Sequence, residues 1–111
     1  MNKINCSLLL FTCFCVTNIS NAGSANQARI TAIASNVAGT ARIRFDNTED
    51  MASCGEGFSG FSVNVNTDGG KSLYSLALSA QAQGKLVNAA GQGVCLERSD
   101  TESLQFLTLP D

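Results

Sequence analysis

One segment of the chain has the period of an α-helix, and stretches that alternate like β-strands lie on both sides of it. Leucine and alanine recur in residues 71–83 at positions i, i+3, i+4 and i+7, with no glycine or proline inside the segment. We therefore predict one helix from Lys71 to Gln83. Asp68 lies near its positive end, and Gly84 occupies the position where a left-handed C-terminal cap is favoured.

Five extended segments surround this helix. In chain order they are residues 28–35, 40–46, 58–65, 85–90 and 104–109. The second is the clearest, because Ala41, Ile43 and Phe45 alternate with polar side chains. The order β-β-β-α-β-β is that of the OB-fold, a small five-stranded Greek-key barrel. We expect a mainly β protein with one α-helix and this OB-like architecture.

Finer details of the strands can also be predicted. Ile30 and Ile33 are three residues apart, a spacing that fits neither regular period and predicts a bulge. Residues 23–27 form a polar lead before the first strand. Val94–Leu96 is expected to extend the fourth strand after a bend, and Leu104 and Phe106 to share one face of the last strand.

The N-terminus has the features of a cleavable secretory signal. Lys3 is followed by an apolar stretch from Leu8 to Val16, and small residues stand at Ser20 and Ala22, three residues and one residue before a cleavage site. The apolar stretch is shorter than the about 20 residues of a membrane-spanning helix. We therefore predict a signal peptide over residues 1–22 and a single domain over residues 23–111, exported to the periplasm or the medium.

Two alternatives to a cleaved signal are weaker. A retained membrane anchor needs a longer apolar stretch. A lipoprotein needs small residues before the modified cysteine, and neither Cys13 nor Cys15 has them.

Removal of residues 1–22 leaves two of the five cysteines, Cys54 and Cys95. One matched pair suits an oxidising compartment and predicts a disulfide. The bond would close a loop of about 42 residues, which contributes roughly 4 kcal/mol in the chain-entropy model. The alternative is two buried free thiols.

Charge and composition argue against several classes of function. Without Lys3, six basic residues face nine acidic ones, a net charge of −3, and no basic stripe is present to bind a nucleic acid backbone. The chain has no histidine, so it lacks an ordinary imidazole base or metal ligand. We expect no enzymatic activity, no cofactor and no metal site.

Two motifs resemble ligand sites but have simpler interpretations. Asp68-Gly69-Gly70-Lys71-Ser72 resembles a phosphate-binding loop, but the first glycine of that motif would stand at Val65. It is interpreted as the start of the helix. Four acidic residues crowd one loop and suggest a calcium site, but their spacing is not that of an EF-hand, so a solvated acidic loop is expected. They are Asp46, Glu49, Asp50 and Glu56.

Candidate binding residues are Arg42, Arg44 and Phe58. Arg42 and Arg44 project from the same face of one predicted strand and are able to bind an anion or a sugar acid. The simpler alternative is the solvated face of a sheet. Phe58 lies between Gly57 and Gly60, which leave it room to be exposed as a stacking platform.

The stretch from Gly69 to Val87, GGKSLYSLALSAQAQGKLV, resembles the helix and following strand of small secreted proteins of Gram-negative bacteria. It is similar, more distantly, to the binding subunits of subtilase-type pentameric toxins. The resemblance implies an OB-fold, export and one intramolecular disulfide. In those toxins the subunits form a ring that binds cell-surface glycans, but no glycan-contacting motif of theirs matches this chain.

These observations favour an exported, non-enzymatic binding module with a glycan or protein partner. Assembly into a homo-oligomer is compatible with the sequence. The alternative is a small periplasmic structural or stress-related envelope protein without a specific ligand. A small hydrolase using Asp46 or Glu49 is a third, weaker hypothesis.

Overall fold

The computed structural model describes residues 22–110, so the predicted signal peptide lies outside the described residues except for Ala22. The elements, in chain order, are β1 (Ser24–Ser35), β2 (Thr40–Phe45), a 3-10 turn (Ser53–Gly55), β3 (Gly60–Asn64), α1 (Asp68–Gln83), β4 (Leu86–Gly91) and β5 (Leu104–Thr108). The strands and the α-helix follow the predicted order. The 3-10 turn between β2 and β3 is additional.

The five strands form one antiparallel sheet in the order β3-β2-β1-β4-β5. β1 is central and long: its second half pairs with β2 and its first half with β4. The predicted bulge is confirmed, because the β1–β2 register shifts between Ile30 and Ala32. The prediction that residues 23–27 form a polar lead before the first strand was wrong. Ser24 and Ala25 already belong to β1, where they pair with Ala90 and Ala89 of β4.

The sheet is open between β3 and β5. One isolated parallel bridge joins Ser62 of β3 to Ser103, just before β5, and the Ser62 amide donates to the Glu102 carbonyl at 2.8 Å. With five antiparallel strands and one α-helix, the class predicted from the sequence, mainly β with one helix, is confirmed. The two edge strands contact each other without forming a ladder.

The core lies between the inner face of the sheet and α1. Phe45 and Phe61 meet edge to face, with ring centroids 5.7 Å apart, and Ala77 and Ala80 of α1 are fully buried. Small helix residues at these positions allow the helix to approach the sheet closely. The rest of the buried apolar cluster comes from all five strands: Ala25, Ala28, Ile30, Ala41, Ile43, Val63, Val87, Ala89, Leu104 and Leu107.

Both ends of α1 are capped. The Thr67 hydroxyl accepts a hydrogen bond from the Gly70 amide at 2.9 Å, and Gly84 has the left-handed conformation, with φ of 64°. Gly70 is buried against the Asn64 carbonyl, where a Cβ would overlap it. The motif is the start of a helix, as predicted, but α1 begins at Asp68, three residues before the predicted Lys71, so that Gly69 and Gly70 form its first turn and Gly70 packs on β3.

Two predictions for the C-terminal strands were wrong. Phe106 is 49% exposed, while Leu104 and Leu107 are buried, because the β4–β5 register shifts between Ala90 and Gly91 and reverses the alternation. Val94–Leu96 forms no strand. It folds back on Ser103, whose amide donates to the Val94 carbonyl at 2.8 Å.

The predicted disulfide is confirmed. Cys54 and Cys95 are bonded, with their Cα atoms 6.4 Å apart. The bond joins the 3-10 turn to the loop between β4 and β5. Within residues 22–110, no helix has the length and hydropathy needed to span a bilayer.

Candidate functional site

Two arginines project from the outer face of the sheet. Ala41, Ile43 and Phe45 of β2 point into the core, and the strand alternation therefore places Arg42 and Arg44 on the opposite face. Their neighbours across the strands are mostly small. Arg44 pairs with Ala32 and Gly60, and Arg42 with Ala34 and Ser62. Long basic side chains thus stand above a shallow surface.

Phe58 lies on the same face because of Gly60. A Cβ at Gly60 would come within 2.8 Å of the Phe58 ring and would overlap the Ile43 carbonyl. The glycine therefore leaves room for the ring to lie flat beside β2. The Gly60 amide also donates to the Phe58 carbonyl at 2.9 Å, which fixes the short approach to β3.

The two guanidinium groups cover the Phe58 ring. The Cζ atom of Arg42 is 4.0 Å from the ring centroid and that of Arg44 is 4.5 Å from it, both within cation–π range. Phe58 is consequently only 7% exposed. The expectation of an exposed stacking platform was wrong, because the glycines beside Phe58 let it fold onto the sheet and under the arginines.

Neither Arg42 nor Arg44 has a carboxylate partner among the described residues. The one ion pair of residues 22–110 joins Arg98 to Asp100. The Arg42 Nε is buried. Among residues 22–110 it is the one buried side-chain nitrogen or oxygen that has no hydrogen-bond partner. An unmet buried donor costs about 1–3 kcal/mol. The pair is thus positively charged and incompletely hydrogen-bonded.

A third arginine borders this surface. Arg98 lies with Arg42 and Ala34 around one cavity of about 180 Å³. Its guanidinium binds Asp100 through two hydrogen bonds, of 3.1 and 3.3 Å. These bonds, helped by one from the Thr101 hydroxyl, lower the pKa of Asp100 to about 2. Asp100 therefore stays ionised at any physiological pH.

We name Arg42, Arg44, Phe58 and Arg98 the arginine patch. With Asp100 included, three positive charges face one negative charge, a net charge of +2 on a chain whose overall charge is −2. A second cavity, of about 160 Å³, is lined by Arg42, Arg44 and Phe58 together with Ala32 and Ala34. The two cavities share Arg42 and Ala34 and form neighbouring parts of one groove.

The acidic loop is placed elsewhere. The Asp46 carboxylate accepts hydrogen bonds from the Arg29 amide and the Asn47 side chain, both at 3.0 Å, so it serves the loop itself. The Glu49 backbone exchanges two hydrogen bonds with Ser24. Within residues 22–110, no three acidic or cysteine side chains are grouped as metal ligands would be.

A larger cavity, of about 270 Å³, lies in the gap between β3 and β5 and beside the start of α1. The hydroxyls of Ser62 and Ser103 both reach the Glu97 carboxylate there, at 3.2 and 2.7 Å. These polar groups satisfy one another. The cavity is the gap that remains because β3 and β5 do not pair along their length.

Two charged residues outside the predicted strands, Arg98 and Glu102, were not expected from the sequence to have a role in the site or the core. Arg98 joins the patch only because residues 97–103 fold back along the edge of β3. Glu102 is fully buried. Neither placement has a local signal, since both depend on strands far away in the chain.

No family model, no curated protein and no solved structure matches the chain.

Proposed function

We propose that this chain is an exported, non-enzymatic binding module whose arginine patch binds the acidic group of a glycan. The arginine patch supports the proposal because three guanidinium groups converge on one groove beside a single carboxylate. Guanidinium groups bind carboxylates through paired, charge-assisted hydrogen bonds. A sugar acid supplies such a group.

The size of the groove favours a terminal group of a larger ligand. Its two parts measure about 180 and 160 Å³. Pockets that enclose a whole small molecule are usually about 300–1,000 Å³. The buried Phe58 offers no free face for stacking, so in this proposal recognition is electrostatic and the ring positions the two arginines.

We also propose that the sheet is an OB-like barrel that is incompletely closed. Support comes from the strand order, from the central position of β1 and from the Ser62–Ser103 bridge between the edges. The resemblance of residues 69–87 to toxin binding subunits suggests glycan recognition and ring assembly. Native mass spectrometry tests the ring separately from binding.

The direct test measures binding to an array of acidic and neutral glycans. We expect binding to sialylated or uronic-acid-bearing glycans and none to their neutral counterparts. Arg44→Gln should weaken binding at least about tenfold, since a charge-assisted hydrogen bond contributes about 1.5–3 kcal/mol. Arg42→Lys should also weaken it, because lysine keeps the charge but loses the planar fork.

Lys85→Gln is the matched control. It removes the same charge, but Lys85 lines a separate cavity with Gln27, Leu86 and Pro110, away from the patch. Binding of acidic glycans should be unchanged by it. Equal binding of acidic and neutral glycans, or equal loss in Lys85→Gln and Arg44→Gln, would contradict the proposal.

The covered Phe58 ring favours a second candidate, an envelope protein without a specific ligand. In that case the arginines serve only to shield the ring. Urea unfolding separates the two functions. A shielding role alone predicts that Arg44→Gln lowers the free energy of unfolding while no glycan binds to either protein.

A further inference from the structure

Glu102 is a carboxylate buried without a positive partner among residues 22–110. Its side chain has no exposed surface, and the ion pair of this region is that of Arg98 and Asp100. Transfer of an isolated charge from water to a protein interior is costly unless it is paired and hydrogen-bonded. Glu102 therefore needs hydrogen-bond donors or a positive charge close to its carboxylate.

Three backbone amides donate to this carboxylate. The Ala52 amide donates to Oε1 at 2.8 Å, and the amides of Gly23 and Gly93 donate to Oε2, each at 2.9 Å. The donors come from three separate segments: the chain before β1, the loop before β3 and the loop after β4. The carboxylate is thus well hydrogen-bonded, but its charge is not neutralised.

Gly23 is held firmly at this position. Its carbonyl accepts from the Gly91 amide at 2.8 Å, and the residue is buried. A Cβ at position 23 would lie 2.5 Å from the Met51 sulfur and 3.0 Å from Glu102 Oε1, so only glycine fits. The nitrogen of Gly23 is therefore fixed within hydrogen-bond distance of the buried carboxylate.

Gly23 is also the first residue after the predicted cleavage site. Hydrolysis of the Ala22–Gly23 bond adds hydroxide to the Ala22 carbonyl carbon and a proton to the Gly23 nitrogen, and the new amine takes up a further proton. An amide that donates one hydrogen thereby becomes an ammonium group with a full positive charge. It lies 2.9 Å from Glu102 Oε2.

We infer that signal removal supplies the counterion of Glu102, so that the α-ammonium of Gly23 and this carboxylate form a buried ion pair that completes the fold. The inference rests on the export that is part of the proposed function. It means that the processed domain is more stable than the same domain with any residue still attached before Gly23.

The test compares two full chains exported by a bacterial host. One is the unaltered chain, and the other has one alanine inserted after Ala22. Cleavage after Ala22 then yields domains that begin at Gly23 or one residue earlier, as intact mass will verify. The extra residue has room, because Ala22 itself occupies that place next to Gly23 and is half-buried. The two processed domains therefore differ in the position of the α-ammonium group and not in whether the added residue fits.

We expect the added alanine to lower the ratio of folded to unfolded protein at least about tenfold, a fall in Tm of about 5–10 °C for a domain of this size. The same alanine should have no effect in a Glu102→Gln background. An equal effect in both backgrounds would overturn the inference. If Glu102→Gln does not fold, the pKa of the Gly23 amine, measured by NMR in the unaltered protein, decides the question.

That amine has an ordinary pKa of about 7.7–8.0, and the ion pair should raise it. Stability from the pair is then fully present below about pH 8 and is lost as pH rises through the raised value. The chain has no histidine, and the cysteines of the domain are disulfide-bonded, so no other side chain ordinarily titrates between pH 7 and 9. The other charged groups of the two adjoining loops, residues 46–59 and 92–103, are Asp46, Glu49, Asp50, Glu56, Glu97, Arg98 and Asp100.

The outcomes separate the inference from the proposed function. An ordinary pKa of the amine, or a stability difference that does not change with pH, overturns the ion pair and leaves export intact. A chain that is not cleaved, or is cleaved elsewhere, overturns both.

Discussion

Gly60 determines the geometry of the arginine patch, although it contributes no side chain to it. Its missing Cβ leaves the space in which the Phe58 ring lies, and the ring in turn holds the guanidinium groups of Arg42 and Arg44 close together. Two like charges repel each other. A ring face that attracts both partly offsets the repulsion.

Gly60→Ala should therefore displace the Phe58 ring and separate the two arginines. We expect a loss of about 1–3 kcal/mol in the free energy of unfolding, the usual cost of overpacking, together with loss of acidic glycan binding. Gly57→Ala is the matched control, because a Cβ at Gly57 meets nothing within 4 Å. Urea denaturation of both variants measures the difference, and equal stability would show that the space at Gly60 is not needed.

Asp100→Asn should strengthen anion binding. Asp100 is exposed and binds Arg98, and its pKa of about 2 keeps it ionised above about pH 3. Its replacement raises the net charge of the patch from +2 to +3 and releases the Arg98 fork. We expect several-fold tighter binding of acidic glycans and a steeper dependence on salt. Weaker binding in titration calorimetry would show that Asp100 itself contacts the ligand.

At the level of elements, the bulge between β4 and β5 decides which residues of the last strand reach the core. The register shift between Ala90 and Gly91 puts Leu104 and Leu107 inside and leaves Phe106 exposed at 49%. Regular alternation would have buried Phe106 with Leu104. A single extra residue thus changes the apolar face of a five-residue strand.

Leu107→Ala should cost about 2–4 kcal/mol of unfolding free energy, as large-to-small changes in a core do. Phe106→Ala should cost less than about 1 kcal/mol, even though it removes the larger side chain, because half of the ring is already in water. Chemical denaturation of the two variants distinguishes the bulged register from a regular one. The regular register predicts the opposite order.

For the molecule as a whole, the disulfide and Glu102 fasten the same loops. Cys54 lies two residues after Ala52, and Cys95 two residues after Gly93, and both of these amides donate to Glu102. One connection is covalent and the other electrostatic. Together they hold the end of the molecule that the open sheet leaves without a ladder.

Replacement of both cysteines, Cys54→Ser with Cys95→Ser, should lower the free energy of unfolding by roughly 4 kcal/mol in the chain-entropy model. The effect acts mainly on the unfolded chain, whose loop of about 42 residues is no longer closed. The midpoint of urea denaturation should fall, and reduction of the unaltered protein should reproduce the loss. No change on reduction would show that the loops are held by other contacts alone.

The sequence predicted those parts of the molecule that depend on near neighbours. Periodicity was sufficient for α1 and β2, and the pairing of Cys54 with Cys95 followed from their number. Burial of Glu102 was not predictable, because its amide donors lie 79, 50 and 9 residues away along the chain. Phe58 was misjudged for the same reason: its glycine neighbours are local, but the arginines that cover it belong to another strand.

The central position of β1 has a consequence for the order in which the chain folds. β1 is the first strand of the sheet, yet half of its partners lie in β4, about 60 residues later along the chain. The hairpin of β1 and β2 closes a short loop and forms early, whereas the pairing with β4 waits for most of the chain. Pulse-labelled hydrogen exchange should therefore show late protection of the amides in the first half of β1, and a chain emerging N-terminus first would hold its leading strand half-paired until nearly all of it had appeared.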